Sequence, residues 1–188
     1  MCYRFASLMV LSVCFCGATP SGGAEGLWLD VPFVKQVKNG CGAASVAMVM
    51  QYWLIKQGRS DRESADASEI HRALSAPGGG GVYASAMKRY FVQRGFSAFS
   101  FRGEWNDLKD HLQKGRPLIV ALKPSGADSP LHYVVVAGLD PQSGVVSLND
   151  PARRKLIKQP RDDFEKQWSG ANKWTLLALP QSNGEAGC

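Results

Sequence analysis

The apolar residues of this chain follow two different spacings. Over much of the first half they recur every three or four positions, which is typical of amphipathic helices. In the second half they form short runs rich in Val, Leu and Ile, which are typical of buried strands. The predicted helices cover residues 41–57, 68–74, 82–93, 104–114 and 162–168. The predicted strands cover residues 96–101, 117–123, 132–139, 145–148 and 174–179.

The order of these elements predicts an α+β fold in which an N-terminal helical lobe packs on a C-terminal antiparallel sheet. No internal repeat or linker divides the 188 residues. A chain of this length buries roughly two-thirds of its unfolded surface, so its core needs no disulfide or metal. We expect one domain over residues 25–180 and a flexible tail over 181–188. Five large aromatic residues are candidates for the core or for the substrate groove, with the core as the default: Trp53, Tyr83, Trp105, Trp168 and Trp174.

The first 24 residues differ from the rest of the chain. After Arg4, residues 5–18 are mostly apolar and uncharged, and small residues follow up to Ala24. This order predicts a signal peptide over residues 1–24, with an approximate cleavage site. A spanning helix needs about 20 apolar residues, and neither this segment nor a later one reaches that length. We expect an exported protein, periplasmic or secreted, with no stable membrane span once the signal is removed.

A lipoprotein is the alternative form of an exported chain. It would need a small residue just before a cysteine, but Cys14 and Cys16 follow Val13 and Phe15. The sequence therefore favours a protein without a lipid anchor.

The chain is basic, but its net charge does not indicate a particular partner. There are 22 Lys and Arg residues against 16 Asp and Glu, a formal net charge of +6. This charge favours anionic surfaces, but the basic residues are too scattered to indicate nucleic-acid binding. We expect a monomer that binds no nucleic acid.

The cysteines exclude two further classes of protein. Three of the five cysteines leave with the signal peptide, and only Cys41 and Cys188 remain. Two cysteines do not make a disulfide framework, and no CxxC or HExxH spacing indicates zinc. We therefore expect no metal and no cofactor. In an oxidising compartment Cys41 and Cys188 can pair with each other, and Cys41 would then be structural.

Cys41 has the sequence surroundings of a reactive thiol. Asn39 and Gly40 predict a tight turn, and Cys41 then opens a helix of small residues that lets another layer approach closely. At a helix N-terminus, unpaired N–H groups and the helix dipole favour the thiolate. Gln36 lies just upstream, where its amide and the Cys41 N–H can form an oxyanion hole. The ordinary alternative is that Cys41 is a small buried residue.

A cysteine nucleophile needs a base, and the chain offers three histidines. His71 and His111 lie in polar or amphipathic predicted helices, so we expect them to be solvated surface residues. His132 begins a predicted strand directly after a loop, which is where functional sites are commonly built. His132 is therefore the candidate base, and capping a buried strand is its alternative role.

The hairpin that follows His132 indicates a third group. Asp140 ends the same strand, roughly 26 Å from His132, and is expected to be a turn residue. The strand over 145–148 returns antiparallel and leads to Asn149 and Asp150. If paired residue numbers sum to 282 or 284, Asp150 lies on the face of His132, whereas an odd sum places Asn149 there. Either side chain can accept the imidazole N–H.

Three segments in combination resemble a known family. VPFVKQ, NGCGAASVAMV and HYVVVAGLDPQSGVVSLNDP occur in that order within residues 31–151. They resemble the bacteriocin-processing, double-glycine-leader cysteine peptidases and their stand-alone papain-like relatives. The resemblance implies a papain-like fold and hydrolysis of a peptide bond through an acyl-enzyme. It implies that Cys41 is the nucleophile, His132 the general base, Asp150 its orienting acid and Gln36 an oxyanion-hole donor.

The resemblance also implies a peptide or protein substrate, cleaved after Gly-Gly or other small residues. Transporter-linked members recognise leader peptides beside a membrane transporter, whereas this sequence has no GxxxxGK[ST] phosphate loop and carries a predicted export signal. Two other functions stay open: a peptidoglycan amidase or endopeptidase, and a non-catalytic module whose cleft only holds a peptide. The glycines over 78–81 are expected to form a flexible loop, with a groove lining as the alternative.

Overall fold

A seven-stranded antiparallel sheet runs through the described part of the chain, with helices on both faces. The computed structural model describes residues 26–59, 65–75, 81–124 and 129–181. The predicted signal peptide and residues 182–188 of the predicted tail lie outside these ranges. The helices are α1 (Cys41–Lys56), α2 (Ala67–Leu74), α3 (Ala84–Gln93), α4 (Trp105–Gln113) and α5 (Arg161–Gly170). The strands are β1 (Leu27–Trp28), β2 (Phe96–Arg102), β3 (Leu118–Leu122), β4 (His132–Asp140), β5 (Val145–Asn149), β6 (Ile157–Pro160) and β7 (Trp174–Pro180).

The strand β4 occupies the middle of the sheet. The strands follow the order β2-β7-β3-β4-β5-β6, and β1 pairs separately with β4. Leu27 lies opposite Leu139, and Trp28 lies opposite Gly138. The strand β5 pairs with the opposite edge of these β4 residues. The strand β1 therefore pairs with β4 along the same edge as β3, just beyond the last residues that β3 pairs with. Residues 133–139 of β4 are consequently all buried.

Alternate residues of β4 face two hydrophobic cores, because successive side chains of a strand point to opposite faces. Tyr133, Val135 and Ala137 belong to the core that contains residues of α1, α2 and α3. Val134 and Val136 belong to the core that contains residues of α4 and α5. The α+β prediction is confirmed, and α4 and α5 cover the sheet face opposite the N-terminal helices.

The predicted helices and strands are all present, with boundaries that agree to within two residues. The helix α3 begins at Ala84 rather than at residue 82, because its N-cap Tyr83 keeps an extended backbone with φ −77° and ψ 140°. Two strands lie outside the predictions: β1 has two residues and β6 has four. Gln181, the first residue of the predicted tail, donates its N–H to the Gly95 carbonyl at 2.9 Å.

A β-bulge in β4 changes the register of the β4–β5 hairpin. Next to the turn, Leu139 pairs with Val146, a sum of 285. Farther along, Val136 pairs with Leu148, a sum of 284. Ala137 is the extra residue on β4 that changes the sum from odd to even.

The even register sets which side chain faces His132. It includes the pair Val135 and Asn149, and the next position along places Asp150 opposite Val134. His132 and Val134 share a face because they are two residues apart on one strand. One of the two predicted even registers is therefore confirmed at the end of the hairpin where it matters.

Candidate active site

The turn before α1 places Cys41 at a helix N-terminus. Asn39 has a left-handed backbone with φ 58°, and the Gly40 N–H closes the turn with a hydrogen bond of 3.0 Å to the carbonyl of Val37. The predicted tight turn is confirmed. Because α1 begins at Cys41, the N–H of Cys41 has no acceptor within the helix.

His132 stands at the start of β4 and connects Cys41 to Asp150. The Cys41 side chain is hydrogen-bonded to the His132 ring. On the other side, Nε2 of His132 lies 2.7 Å from Oδ1 of Asp150. Since Asp150 takes Nε2, the other ring nitrogen, Nδ1, is the one left for Cys41. The side chains of His132 and Asp150 are only 23% and 13% exposed, so this hydrogen bond is shielded from water.

The arrangement shifts the pKa values of all three groups in the direction that favours their charged forms. Burial lowers the pKa of His132, but the hydrogen bonds with Asp150 and Cys41 outweigh it and raise that pKa to about 9. Burial raises the pKa of the Cys41 thiol, but the bonds from His132 and from backbone N–H groups lower it overall. Burial also opposes the charge of Asp150, yet His132 lowers the pKa of that carboxyl. The group favours a thiolate beside an imidazolium.

The backbone of Tyr133 holds the start of β4 against α1. Its N–H donates to the sulfur of Cys41. Its carbonyl accepts a hydrogen bond of 3.2 Å from Oγ of Ser45, which is fully buried one helical turn after Cys41. These two contacts set the separation between Cys41 and His132. The sequence analysis missed Ser45, although its position four residues after Cys41 puts both side chains on one helix face.

Gln36 lies in the same cleft as Cys41. Its backbone N–H donates to the Pro151 carbonyl at 3.0 Å, which ties the segment before α1 to the loop after Asp150. Its Oε1 atom is buried and has no hydrogen-bond partner among the described residues. The structure therefore brings all four residues singled out from the sequence to one place.

A cavity of about 730 Å³ opens over the thiol of Cys41. Residues 81–84 and residues 129–131 contribute to its lining. Tyr83 and Leu131 are 67% and 47% exposed at its rim. Of the two placements open to Tyr83, the default core placement is wrong and the groove placement holds, because the extended backbone before α3 leaves its side chain at the cleft.

The wall formed by residues 81–84 packs directly on the start of α1. A Cβ at Gly42 would lie 3.0 Å from Cβ of Val82 and 3.1 Å from Sδ of Met87, closer than side-chain packing normally allows. The expectation that small residues let another layer approach is confirmed. Gly81 lines the cavity with φ 96°, and the other glycines of the predicted loop lie outside the described residues.

Asn149, the alternative partner of His132, is engaged elsewhere. Its Nδ2 donates to the Val31 carbonyl at 3.1 Å, and its Oδ1 accepts from the Leu156 N–H at 3.0 Å. The side chain is fully buried. Asn149 anchors the segment before α1 to the loop before β6, and only Asp150 faces His132.

His71 and His111 lie outside the site, and they are less exposed than the solvated surface residues that we expected. Both residues are half-buried, and Nδ1 of each is buried without a partner among the described residues. His111 packs against Phe101, and burial lowers its pKa. The reason is its place on α4 between the buried residues Leu108 and Leu112, which turns part of the ring toward the core.

The described residues contain no cluster suited to a metal ion. Within those ranges, no group of three or more His, Cys, Asp or Glu side chains lies close enough together to hold one. The helices described there also lack the length and hydrophobicity of a membrane span. Cys41 is a free cysteine, and Cys188 lies outside the described ranges.

Residues 28–175 match the family model described as the Peptidase_C39 like family. None of the curated proteins matches the sequence. Among solved structures with this fold, a C39-like peptidase from Bacillus anthracis is 19% identical, with a TM-score of 0.62 over 85% of this chain and 100% of that one.

Two further solved structures come from transporters. The double glycine motif protease of an AMS/PCAT transporter, in complex with the leader peptide, is 23% identical, with a TM-score of 0.58 over 82% of this chain and 94% of that one. The peptidase domain of Streptococcus ComA, a bifunctional ABC transporter of a quorum sensing pathway, is 23% identical, with a TM-score of 0.58 over 79% and 97%. At these identities the likeness shows the papain-like fold.

The region that matches the family model contains Cys41, Gln36 and the His132–Asp150 pair. It also spans all five helices described above and the whole of strands β2 to β6. The chain therefore belongs to the Peptidase_C39 like family and is a peptidase of the cysteine type.

Proposed function

We propose that this chain is an exported peptidase that hydrolyses peptide bonds with Cys41 as its nucleophile. The observation that carries the proposal is the hydrogen-bonded order Cys41, His132, Asp150 at an open cleft. The pKa shifts within this group favour the thiolate, which is the nucleophilic form of cysteine. Export is proposed from the sequence pattern of residues 1–24.

The reaction begins with attack of the Cys41 thiolate on the carbonyl carbon of the scissile bond. The carbonyl oxygen becomes an oxyanion as the S–C bond forms. The His132 imidazolium gives its proton to the leaving amine while the C–N bond breaks, and a thioester remains. Neutral His132 then takes a proton from water, whose oxygen attacks the thioester, releases the acid product and restores the starting pair.

The other two residues support these steps. Asp150 accepts the Nε2–H of His132, which orients the ring and stabilises its positive charge. The N–H of Cys41 and the side-chain amide of Gln36 donate to the oxyanion, because both lie beside the sulfur in the cleft.

Cleavage after Gly-Gly or other small residues is the finer part of the proposal. One protein with the same fold is described as a double glycine motif protease and was solved with its leader peptide. In the present chain, residues 81–84 and 129–131 line the cleft together with Cys41, and a Cβ at Gly42 would lie 3.0 Å from Cβ of Val82. We expect this tight packing beside Cys41 to favour small residues before the scissile bond.

The first test is the reactivity of the thiol. The purified protein, without reductant, is treated with an alkylating probe over about pH 4 to 9, and the labelled cysteine is mapped by mass spectrometry. We expect fast labelling of Cys41 below the ordinary thiol pKa of about 8.5, and slower labelling at the same pH in His132→Ala. Labelling no faster than that of a free thiol would contradict an activated Cys41.

The second test is turnover of fluorogenic peptides with Gly-Gly before the scissile bond. We expect Cys41→Ala to abolish cleavage while circular dichroism shows the same fold. Cys188→Ala is the matched control, since it removes the other mature cysteine and should cleave like the wild type. Activity retained by Cys41→Ala would refute the proposed nucleophile.

A further inference from the structure

A second cavity, of about 630 Å³, lies beside the cleft. Its lining shares Pro124 and His132 with the cleft and includes Asp150, but it does not include Cys41. The two cavities therefore meet at the His132 ring. The volume is within the range of about 300 to 1,000 Å³ that ligand pockets occupy.

The lining of this second cavity is basic. Arg153, Arg154 and Lys158 all contribute to it and are exposed. Its one acidic residue, Asp150, is already bonded to His132 and to the Ala152 N–H at 2.9 Å. In the described part of the chain, none of the three cations forms an ion pair. Within the described ranges, these three side chains therefore carry positive charge that no ion pair takes up.

The positive charge of this cavity comes mainly from the two arginines, because Lys158 is shared with a second acidic group. Lys158 also lines a separate cavity with Asp140, and its charge lowers the pKa of that carboxyl. The charge of Arg153 acts on Asp150 at the base of the second cavity. Guanidinium groups bind carboxylates through two parallel hydrogen bonds, which suits them to recognise an acidic side chain.

The proposed chemistry decides which part of a substrate reaches this cavity. His132 gives its proton to the leaving amine, so that amine lies beside the imidazole when the bond breaks. The residues that follow the scissile bond must then leave the cleft past His132. The second cavity adjoins His132 and is not lined by Cys41, so it is within reach of the residues that follow the bond.

We infer that the cavity lined by Arg153 and Arg154 is a subsite for the residues after the scissile bond and that it selects Asp or Glu there. This inference rests on the proposed function, because the direction of the peptide follows from the role of His132. The ligand chemistry is a carboxylate, supplied by an acidic side chain of the substrate or by a free peptide C-terminus.

The test measures binding without turnover. Fluorescent peptides are titrated into full-length Cys41→Ala protein and followed by anisotropy. Each peptide carries Gly-Gly followed by either Glu-Glu or Gln-Gln, with an amidated C-terminus, and a third peptide combines Gln-Gln with a free C-terminal carboxylate. The same titrations use Arg153→Gln/Arg154→Gln in the Cys41→Ala background. The control is Arg72→Gln/Lys114→Gln, which removes the same charge from exposed residues that do not line either cavity.

We expect the Glu-Glu peptide to bind about fivefold or more tightly than the Gln-Gln peptide, with a difference that shrinks at high salt. Arg153→Gln/Arg154→Gln should remove this difference, and the control should keep it. A preference for the free C-terminus over Glu-Glu would overturn selection of acidic side chains. Equal binding of all peptides, no binding, or an unchanged ratio in Arg153→Gln/Arg154→Gln would overturn the subsite. Labelling of wild-type Cys41 tests the proposed function separately, so either idea can fail alone.

Discussion

Asp150 acts on His132 through both its position and its charge. The ring nitrogen Nε2 lies 2.7 Å from its carboxylate, and that contact helps to raise the pKa of His132 to about 9. The reaction needs the imidazolium to protonate the leaving amine, so activity should fall as pH rises through this pKa. In Asp150→Asn the amide oxygen still accepts the N–H, but the negative charge is lost.

For Asp150→Asn we therefore expect the alkaline limb of the kcat/KM profile to move to lower pH, because without the carboxylate His132 loses its proton more easily. Asp150→Ala should lose the orientation as well and be less active at every pH. Asp140→Asn is the control, since that carboxylate bonds within the turn at residues 140–143. An alkaline limb that stays near pH 9 in Asp150→Asn would show that the charge of Asp150 is not needed.

The β-bulge is the element that brings Asp150 to its place. Next to the bulge, the strands β1, β4 and β5 approach closely at Gly138. A Cβ there would lie 2.8 Å from the Leu27 carbonyl oxygen and 3.2 Å from Cβ of Ser147. We expect Gly138→Ala to lower the free energy of unfolding by about 1–3 kcal/mol, since backbone atoms must move to admit the methyl group. Urea denaturation measures this change.

Gly26→Ala is the matched control for that measurement. Its added Cβ would lie 3.7 Å from Cβ of Asp140, which is an ordinary van der Waals contact. We expect its stability to stay within about 0.5 kcal/mol of the wild type. Equal stability of Gly138→Ala and Gly26→Ala would mean that β1 is not held tightly against β4.

The spacing of apolar residues was sufficient for the long elements and insufficient for the short ones. A helix such as α1 repeats its pattern over several turns, and β4 presents nine residues of consistent character. By contrast, β1 has two residues whose pairing partners lie more than a hundred positions away, and β6 has four. The bulge at Ala137 was also missed, although the neighbouring Gly138 is the kind of residue that indicates a bulge or a close backbone approach within a strand.

At the scale of the whole molecule, the site lies where three distant segments meet. Gln36 and Cys41 precede and open α1, His132 begins β4, and Asp150 follows β5. Residue types and positions were enough to nominate Gln36, Cys41 and His132, whereas the choice of Asp150 over Asn149 needed the resemblance to the peptidase family. The position of Arg153 beside His132 was not predictable in this way, since an exposed arginine in a loop has no pattern that indicates a cavity.

The two cores share the same strands, so we expect them to unfold together. Val135 lies in the core of α1 to α3, and Val136 lies in the core of α4 and α5, yet they are neighbours on β4. Val135→Ala and Val136→Ala should each cost about 1–3 kcal/mol through the cavity they leave. Because neither core keeps its shape without β4, each variant should still unfold in one transition.

Two probes followed in the same urea titration check this cooperativity. Far-UV circular dichroism reports the helices and the sheet. Pulsed alkylation at neutral pH reports the junction of α1 with β4, because Cys41 loses its fast labelling when His132 and the Tyr133 N–H no longer lower the pKa of its thiol. We expect the two midpoints to coincide in the wild type and to shift together in Val135→Ala and in Val136→Ala. If the alkylation midpoint moved only in Val135→Ala, the core beneath α1 would be a separate folding unit, and the site would depend on that half of the protein alone.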